Sequence, residues 1–225
     1  MTETRKAFHE ELKEVTDDVA RMGGLAVEAI QAGTEAFLAG DLTAIERVIA
    51  EDRRIDDLAH DIEARTYLLM ARQQPMAVDL RTLVSVLRVI HELERIGDNM
   101  VNVSKAARRL YPQHLDARYR GLIHRMREQA VEQLRLAMGA FNDRDPAKAA
   151  ALSDMDDVMD DLQKELFRAV LSAPPGDGDA VHQAVQLALV GRYYERIADH
   201  AVNAGERTSY MVTGAFFDTS RPAES

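Results

Sequence analysis

The chain has 225 residues, a formal net charge of −10, 46% hydrophobic and 5% aromatic residues, and no cysteine. The absence of cysteine excludes disulfides, thiolate metal sites and cysteine nucleophiles, while the acidic balance disfavours direct binding to nucleic acid, which depends on neutralising phosphates. The start is charged rather than apolar and no apolar run approaches the roughly 18 residues of a membrane span, so we expect a cytoplasmic protein.

Gly and Pro residues divide the sequence into six long segments. The segments have the periodicity of amphipathic helices, and the scarcity of aromatic residues favours helices over strands. The predicted helices are 4–39, 42–72, 77–110, 115–142, 146–172 and 179–213. The sequence therefore predicts an all-α fold.

The second half of the sequence repeats the first. Met22–Asp41 aligns without gaps on Met126–Asp145, at an offset of 104 residues (126 minus 22). The stretch ERIGDNMVN at Glu94–Asn102 returns as ERIADHAVN at Glu195–Asn203, at an offset of 101 residues (195 minus 94). Repeats that stay in register indicate a duplicated structural unit.

Each repeat holds three of the six helices, so we expect two tandem, pseudo-symmetric antiparallel three-helix bundles that bury a shared face. The boundaries are 1–112 for the first bundle, 113–213 for the second, and 214–225 for a polar tail. The residues expected to face inward are Ile45, Val48, Ile49, Ile55, Ala59, Ile62 and Leu69 on helix two, and Leu80, Leu83, Val84, Leu87 and Ile90 on helix three.

Acidic residues recur in pairs at i and i+4, which places both carboxylates on one helix face. The four pairs are Asp52 with Asp56, Glu94 with Asp98, Asp156 with Asp160, and Glu195 with Asp199. In the first unit both pairs are equidistant from Pro75, and in the second they are equidistant from a point inside the PPGDGD break, between Asp177 and Gly178. Because residues equidistant from a turn lie level in an antiparallel hairpin, each unit should bring four carboxylates together.

Four partly desolvated carboxylates require cations or raised pKa values. A metal ion with oxygen ligands meets this requirement, so the eight paired acids are predicted metal ligands. Asn102 and Asn203, one turn beyond the Asp residues, are candidates for a carbonyl ligand or for a hydrogen bond to a ligand.

Two other interpretations compete with the metal sites. In the first, the acids are solvated and pair with the arginines of the repeat, Arg95 and Arg196; these arginines could equally meet a partner. In the second, the chain is a carboxylate-bridged iron enzyme or a metal-storage bundle. That class uses Glu-x-x-His on two helices, whereas the nearest match, Asp57 to His60, has no counterpart in the second repeat. No phosphate loop, serine nucleophile elbow or HExxH motif is present.

The two nine-residue motifs, the upstream Asp-x-x-x-Asp pairs and the opening TRKAFHEEL resemble the PhoU family of phosphate-signalling proteins. The resemblance extends from about Arg5 to Met211. It implies the tandem three-helix fold and a metal-ligand role for the eight acids. It also implies that iron or zinc, or manganese or magnesium, binds there.

The resemblance further implies a function. Family members are cytoplasmic, often dimeric, non-enzymatic regulators that repress phosphate uptake and the phosphate-starvation response when phosphate is plentiful. They act between the ATPase subunit of the phosphate ABC transporter and a phosphate-sensing histidine kinase, and meet the membrane only through such partners. Within this chain, Gly97 of the first motif is replaced by Ala198 in the second.

Overall fold

The structure is a computed structural model, which describes residues 3–172 and 178–215. These residues form seven helices: α1 (Glu3–Ala39), α2 (Leu42–Glu51), α3 (Arg53–Gln73), α4 (Val78–Leu110), α5 (Ala117–Asp143), α6 (Pro146–Leu171) and α7 (Gly178–Thr213). The described part of the chain contains no strand, which confirms the all-α prediction. Most of the predicted PPGDGD break, and the predicted tail from residue 216 onward, lie outside the described residues. None of the described helices is both long enough and apolar enough to cross a membrane.

The second predicted helix, 42–72, is interrupted at Asp52, so the prediction of one continuous helix was wrong there. Asp52 keeps helical backbone angles (φ −54°, ψ −34°). The Ile55 N–H donates to the Asp52 carbonyl oxygen at 2.8 Å, the i to i+3 bond of a tighter 3₁₀ turn. The chain therefore continues in a helical conformation from α2 to α3, with a local break at the first acid of the predicted site.

Equivalent aspartates begin the second helix of each unit. The Asp41 side chain accepts a hydrogen bond from the Ala44 N–H at 3.0 Å. Asp145 accepts from the N–H groups of Ala147 at 2.9 Å and Lys148 at 3.3 Å. Such N-caps satisfy backbone donors that have no partner within the helix. Both caps precede the first acid of their unit by the same 11 residues (52 minus 41 and 156 minus 145), so the caps set the register of both acidic pairs.

The two units pack about a pseudo-twofold axis. The first unit is formed by α1 to α4 and the second by α5 to α7, and equivalent helices meet across the interface: α4 packs extensively on α7, and α1 on α5. An interface in which each element contacts its own equivalent is typical of twofold symmetry. One hydrophobic core runs through both units, so the tandem bundles are repeats that share a core.

Helix α4 is buried on more than the one face that the sequence predicts. Leu83 and Ile90 are buried as expected, but Leu80 is exposed near the start of the helix. Val86 and Val89 are fully buried although they were not predicted to face inward. The reason is the second layer of packing, because α4 contacts α1 and α3 of its own unit and also α7.

Candidate functional site

The first acidic cluster, which consists of Asp52, Asp56, Glu94 and Asp98, lies between α3 and α4. Asp52 stands at the break before α3 and Asp56 lies in its first turn. The negative charges of Asp56, Asp98 and Glu94 all act on Asp52, and that of Asp98 acts on Asp56. The hairpin thus brings the four acids within electrostatic reach of one another.

Asp52 is the most perturbed acid of this cluster. Its Oδ1 atom lies against the α4 backbone, where a Cβ added to Gly97 would stand only 2.5 Å away. Burial raises the pKa of Asp52 to about 6, with the charges of Asp56 and Asp98 adding to the rise and that of Lys105 opposing it. Burial, followed by the charge of Asp98, also raises the pKa of Asp56. A close contact with glycine therefore holds an acid in a desolvated position.

The second acidic cluster consists of Asp156 and Asp160 on α6 with Glu195 and Asp199 on α7. Burial raises the pKa of Asp156 to about 6, and the charges of Asp199 and Asp160 reinforce the shift. Burial also raises the pKa of Glu195 and of Asp199, against the opposing charge of Arg192. The electrostatics of the first unit therefore recur in the second.

Arginines neutralise one acid in each cluster, but not in the arrangement that the sequence suggested. Arg95 Nη1 donates to Asp98 Oδ2 at 2.9 Å. In the second unit Arg192, three residues before Glu195, donates to its Oε1 atom, while Arg196 acts on Asp199 through its charge. The i, i+3 spacing of Arg192 and Glu195 was the available sequence signal for this pair. One ion pair per cluster leaves most of the negative charge unmatched.

Sequence reasoning missed Gln133, which lies beside the second cluster. This α5 side chain is completely buried and close enough to Asp156 to lower the pKa of that carboxyl group. The cause is a hydrogen bond from the amide to the Asp156 carboxylate, and the amide oxygen has no partner. The repeat alignment contained the signal, because it places Gln133 opposite Ala29, a polar residue in place of a small apolar one.

The side chains of the two clusters have the chemistry of a site that binds a cation through oxygen atoms. As they stand, the described Asp, Glu and His side chains form no group of three or more that converges on a single point. However, although Arg192 pairs with Oε1 of Glu195, its Oε2 atom is buried and has no hydrogen-bond partner, which is costly for an oxygen of a carboxylate. All eight donors are carboxylate oxygens, which suit Mg²⁺, Mn²⁺ and other hard cations.

Of the two asparagines of the repeated motif, Asn203 bonds to a residue outside the acidic clusters. Asn203 Nδ2 donates to Glu92 Oε2 at 3.3 Å, and His200 Nδ1 lies 2.8 Å from the same oxygen. Burial, the largest single influence, would raise the pKa of Glu92, but the hydrogen bonds from His200 and Asn203 and the charges of His200 and His91 together outweigh it and lower that pKa. Asn203 thus bridges α7 to α4 across the unit interface, while its repeat counterpart Asn102 is half-buried on α4.

The fold and the two clusters define a class of protein: an all-α tandem repeat with an acidic pair on each of two facing helices per repeat. The sequence pattern of the PhoU domain matches residues 19–107 and again residues 123–208. The chain belongs to the PhoU family.

Individual relatives support this assignment over nearly the whole chain. The chain is 38% identical over 213 residues to the phosphate-specific transport system accessory protein PhoU homolog 2 of Mycobacterium tuberculosis, covering 94% of this chain and 99% of that protein. The crystal structure of the phosphate transport system regulatory protein PhoU from Streptococcus pneumoniae superposes with a TM-score of 0.86 at 26% identity, covering 94% of this chain and 99% of that one. PhoU from Pseudomonas aeruginosa gives a TM-score of 0.86 at 27% identity, covering 92% and 100%. The Mycobacterium relative is named as an accessory protein and the Streptococcus relative as a regulatory protein, and none of the three is named as an enzyme.

Proposed function

We propose that this protein is a non-enzymatic negative regulator of phosphate uptake and of the phosphate-starvation response. It acts in the cytoplasm, as a homodimer, between the ATPase subunit of the phosphate ABC transporter and a phosphate-sensing histidine kinase. The observation that supports this function is the duplicated acidic cluster in the fold of a family whose members are named for phosphate transport. The absence of a Glu-x-x-His pair disfavours the alternative, an iron enzyme or store.

The regulatory proposal is tested by deleting the gene and measuring phosphate-responsive transcription and phosphate uptake in phosphate-rich medium. Loss of a repressor should raise both. Reintroducing the wild-type chain should restore repression, which controls for effects on neighbouring genes. Unchanged transcription and uptake in the deletion strain would contradict the proposal.

We further propose that both acidic clusters bind metal: iron or zinc, or manganese or magnesium. The support is the buried, unpartnered Glu195 oxygen and the concentration of desolvated carboxylates. The arginine in each cluster pairs with one of the four acids. A bound cation would supply positive charge to balance the others.

We expect Glu94→Gln combined with Asp98→Asn to abolish metal binding at the first cluster only, because half of its carboxylates are lost. The measurement is metal bound per chain, by elemental analysis after loading and desalting. Asp57→Asn is the matched control, since Asp57 is exposed and pairs with Arg53 outside the cluster. Equal metal content in the double variant and the control would show that these residues do not bind metal at the first cluster.

A further inference from the structure

The two clusters differ in what α1 and α5 present to them. In the first unit, Leu25, Ala29 and Ala32 of α1 leave a cleft of about 160 Å³ beside Asp52. At the offset of 104 residues, the equivalent positions of α5 carry Gln129, Gln133 and Leu136, of which the last two are larger than the alanines they replace. The first cluster therefore adjoins open space where the second adjoins a buried amide.

The amide of Gln133 is the unusual element. The side chain is completely buried, and its amide bonds to the Asp156 carboxylate, whose pKa it lowers, while the amide oxygen has no hydrogen-bond partner. Leaving an amide in this state is costly unless a partner is bound there. Its neighbour Gln129, one turn earlier, is satisfied, because its Nε2 donates to the Met155 carbonyl oxygen at 2.7 Å. The buried oxygen of Gln133 is thus available to contact a ligand, whereas the amide of Gln129 is engaged by the backbone.

The carboxylates also differ in their exposure to solvent. The side chain of Glu195 is 12% exposed, whereas that of its counterpart Glu94 is 37% exposed. Glu195 Oε2 is buried without a partner in the same cluster that contains the Gln133 amide. The second unit therefore contains two buried oxygen atoms without a hydrogen-bond partner, Gln133 Oε1 on α5 and Glu195 Oε2 on α7.

We propose that Gln133 supplies a neutral amide oxygen to the metal site of the second unit, and that this site consequently holds a hard divalent cation more tightly than the first. The inference rests on the metal binding proposed above. Amide carbonyl oxygens are accepted ligands of such cations, and a neutral donor adds coordination without adding to the repulsion among four carboxylates. The first unit has Ala29 at the equivalent position and lacks this donor.

The test uses Mn²⁺ as the probe and isolates the second site in a chain carrying Glu94→Gln and Asp98→Asn. In that background we expect Gln133→Met, which keeps the length of the side chain but lacks the oxygen, to weaken Mn²⁺ binding about 10-fold or more. Gln133→Glu restores an oxygen and should retain binding. Gln186→Met is the matched control, since Gln186 is a buried glutamine of the same unit whose Oε1 accepts from Arg109.

Thermal unfolding of the metal-free variants separates ligand loss from misfolding. Equal Mn²⁺ affinity in Gln133→Met and its parent would overturn the role of Gln133 while leaving the metal sites standing. If the parent bound no Mn²⁺ at all, both this inference and the proposed metal site of the second unit would fall.

A reciprocal variant tests the same idea by adding an amide to the first unit. Ala29→Gln places an amide in the cleft beside Asp52, in a chain whose second site is disabled by Glu195→Gln and Asp199→Asn. We expect Mn²⁺ binding at the first site to become several-fold tighter. An unchanged affinity, in a variant whose thermal midpoint shows that it is folded, would contradict the proposed contribution of the amide.

Discussion

At the scale of single residues, the site depends on where a few carboxylates are held. Asp52 reaches a desolvated position because the facing residue, Gly97, has no side chain. The equivalent residue of the second unit is Ala198, which is fully buried, so the second repeat carries a methyl group where the first has none. The same acidic motif is thus supported by different packing in the two repeats.

This difference leads to a prediction for Gly97→Ala. The added methyl group must displace the Asp52 carboxylate, so metal affinity at the first cluster should fall. Alanine also gains about 1 kcal/mol of helix propensity over glycine. This gain opposes the cost of displacing the carboxylate, so the thermal stability of the protein should change little. Metal titration and thermal unfolding, measured on the same sample, separate the two effects.

Ala198→Gly is the control for this variant. It should lose stability through the same propensity difference without removing a contact to a carboxylate. If Gly97→Ala bound metal as tightly as the wild type, the proposed role of the glycine would be wrong.

The raised pKa values of Asp52 and Asp156, both about 6, predict a pH dependence of the metal-free protein. A folded state that binds these protons more tightly than the unfolded chain becomes less stable as they dissociate. The free energy of unfolding should therefore fall as pH rises from about 4 to 6, with the full loss present above that range.

We expect Asp52→Asn and Asp156→Asn to reduce this fall. Metal-free variants should gain thermal stability relative to the wild type at pH 7, and the gain should shrink towards pH 4. Thermal midpoints measured across this range provide the check. A difference between variant and wild type that did not vary with pH would contradict the assignment.

At the scale of helices, Asp41 and Asp145 cap the starts of α2 and α6. We expect Asp41→Ala and Asp145→Ala each to cost about 0.5–2 kcal/mol of stability, because each leaves backbone N–H groups without a partner. Asp→Asn at the same positions retains a capping oxygen and should cost much less. Urea denaturation measures both, and equal costs for Ala and Asn would argue against capping.

The helices themselves could be predicted from the sequence because periodicity and Gly or Pro punctuation are local signals. The grouping of the acids could also be predicted, since it follows from equal distances to a turn. The break at Asp52 could not, because the residue keeps helical angles and only its hydrogen bonds change. The second buried face of α4 and the position of Gln133 depend on contacts between elements far apart in sequence, which a pattern within one helix does not contain.

At the scale of the whole molecule, the two units are joined by buried polar contacts as well as by the apolar core. Tyr194 of α7 is fully buried, and its hydroxyl lies 2.5 Å from Thr34 Oγ1 of α1. Thr34 donates its own proton to the Ile30 carbonyl oxygen at 2.6 Å, so the tyrosine is the donor to Thr34. Each unit therefore contributes to the stability of the other.

We expect the chain to unfold in one cooperative transition, with hydrogen exchange in α2 and in α6 reporting the same free energy of global unfolding. Tyr194→Phe removes one hydrogen bond and should cost about 0.5–1.5 kcal/mol. Because the core is shared, both helices should report that loss. A loss confined to α6 would show that the two units unfold independently.

The packing of α4 on α7 also bears on the origin of the molecule. Each of these helices carries acids on one side and, on the other, an apolar face that only the other repeat covers. A chain of one repeat would expose that face, and would bury it by pairing with a second copy of itself about a twofold axis. The present protein therefore has the form of an ancestral homodimer whose two subunits became one gene product, joined between α4 and α5. Once joined, the two halves were free to diverge, as Ala29 and Gln133 have done.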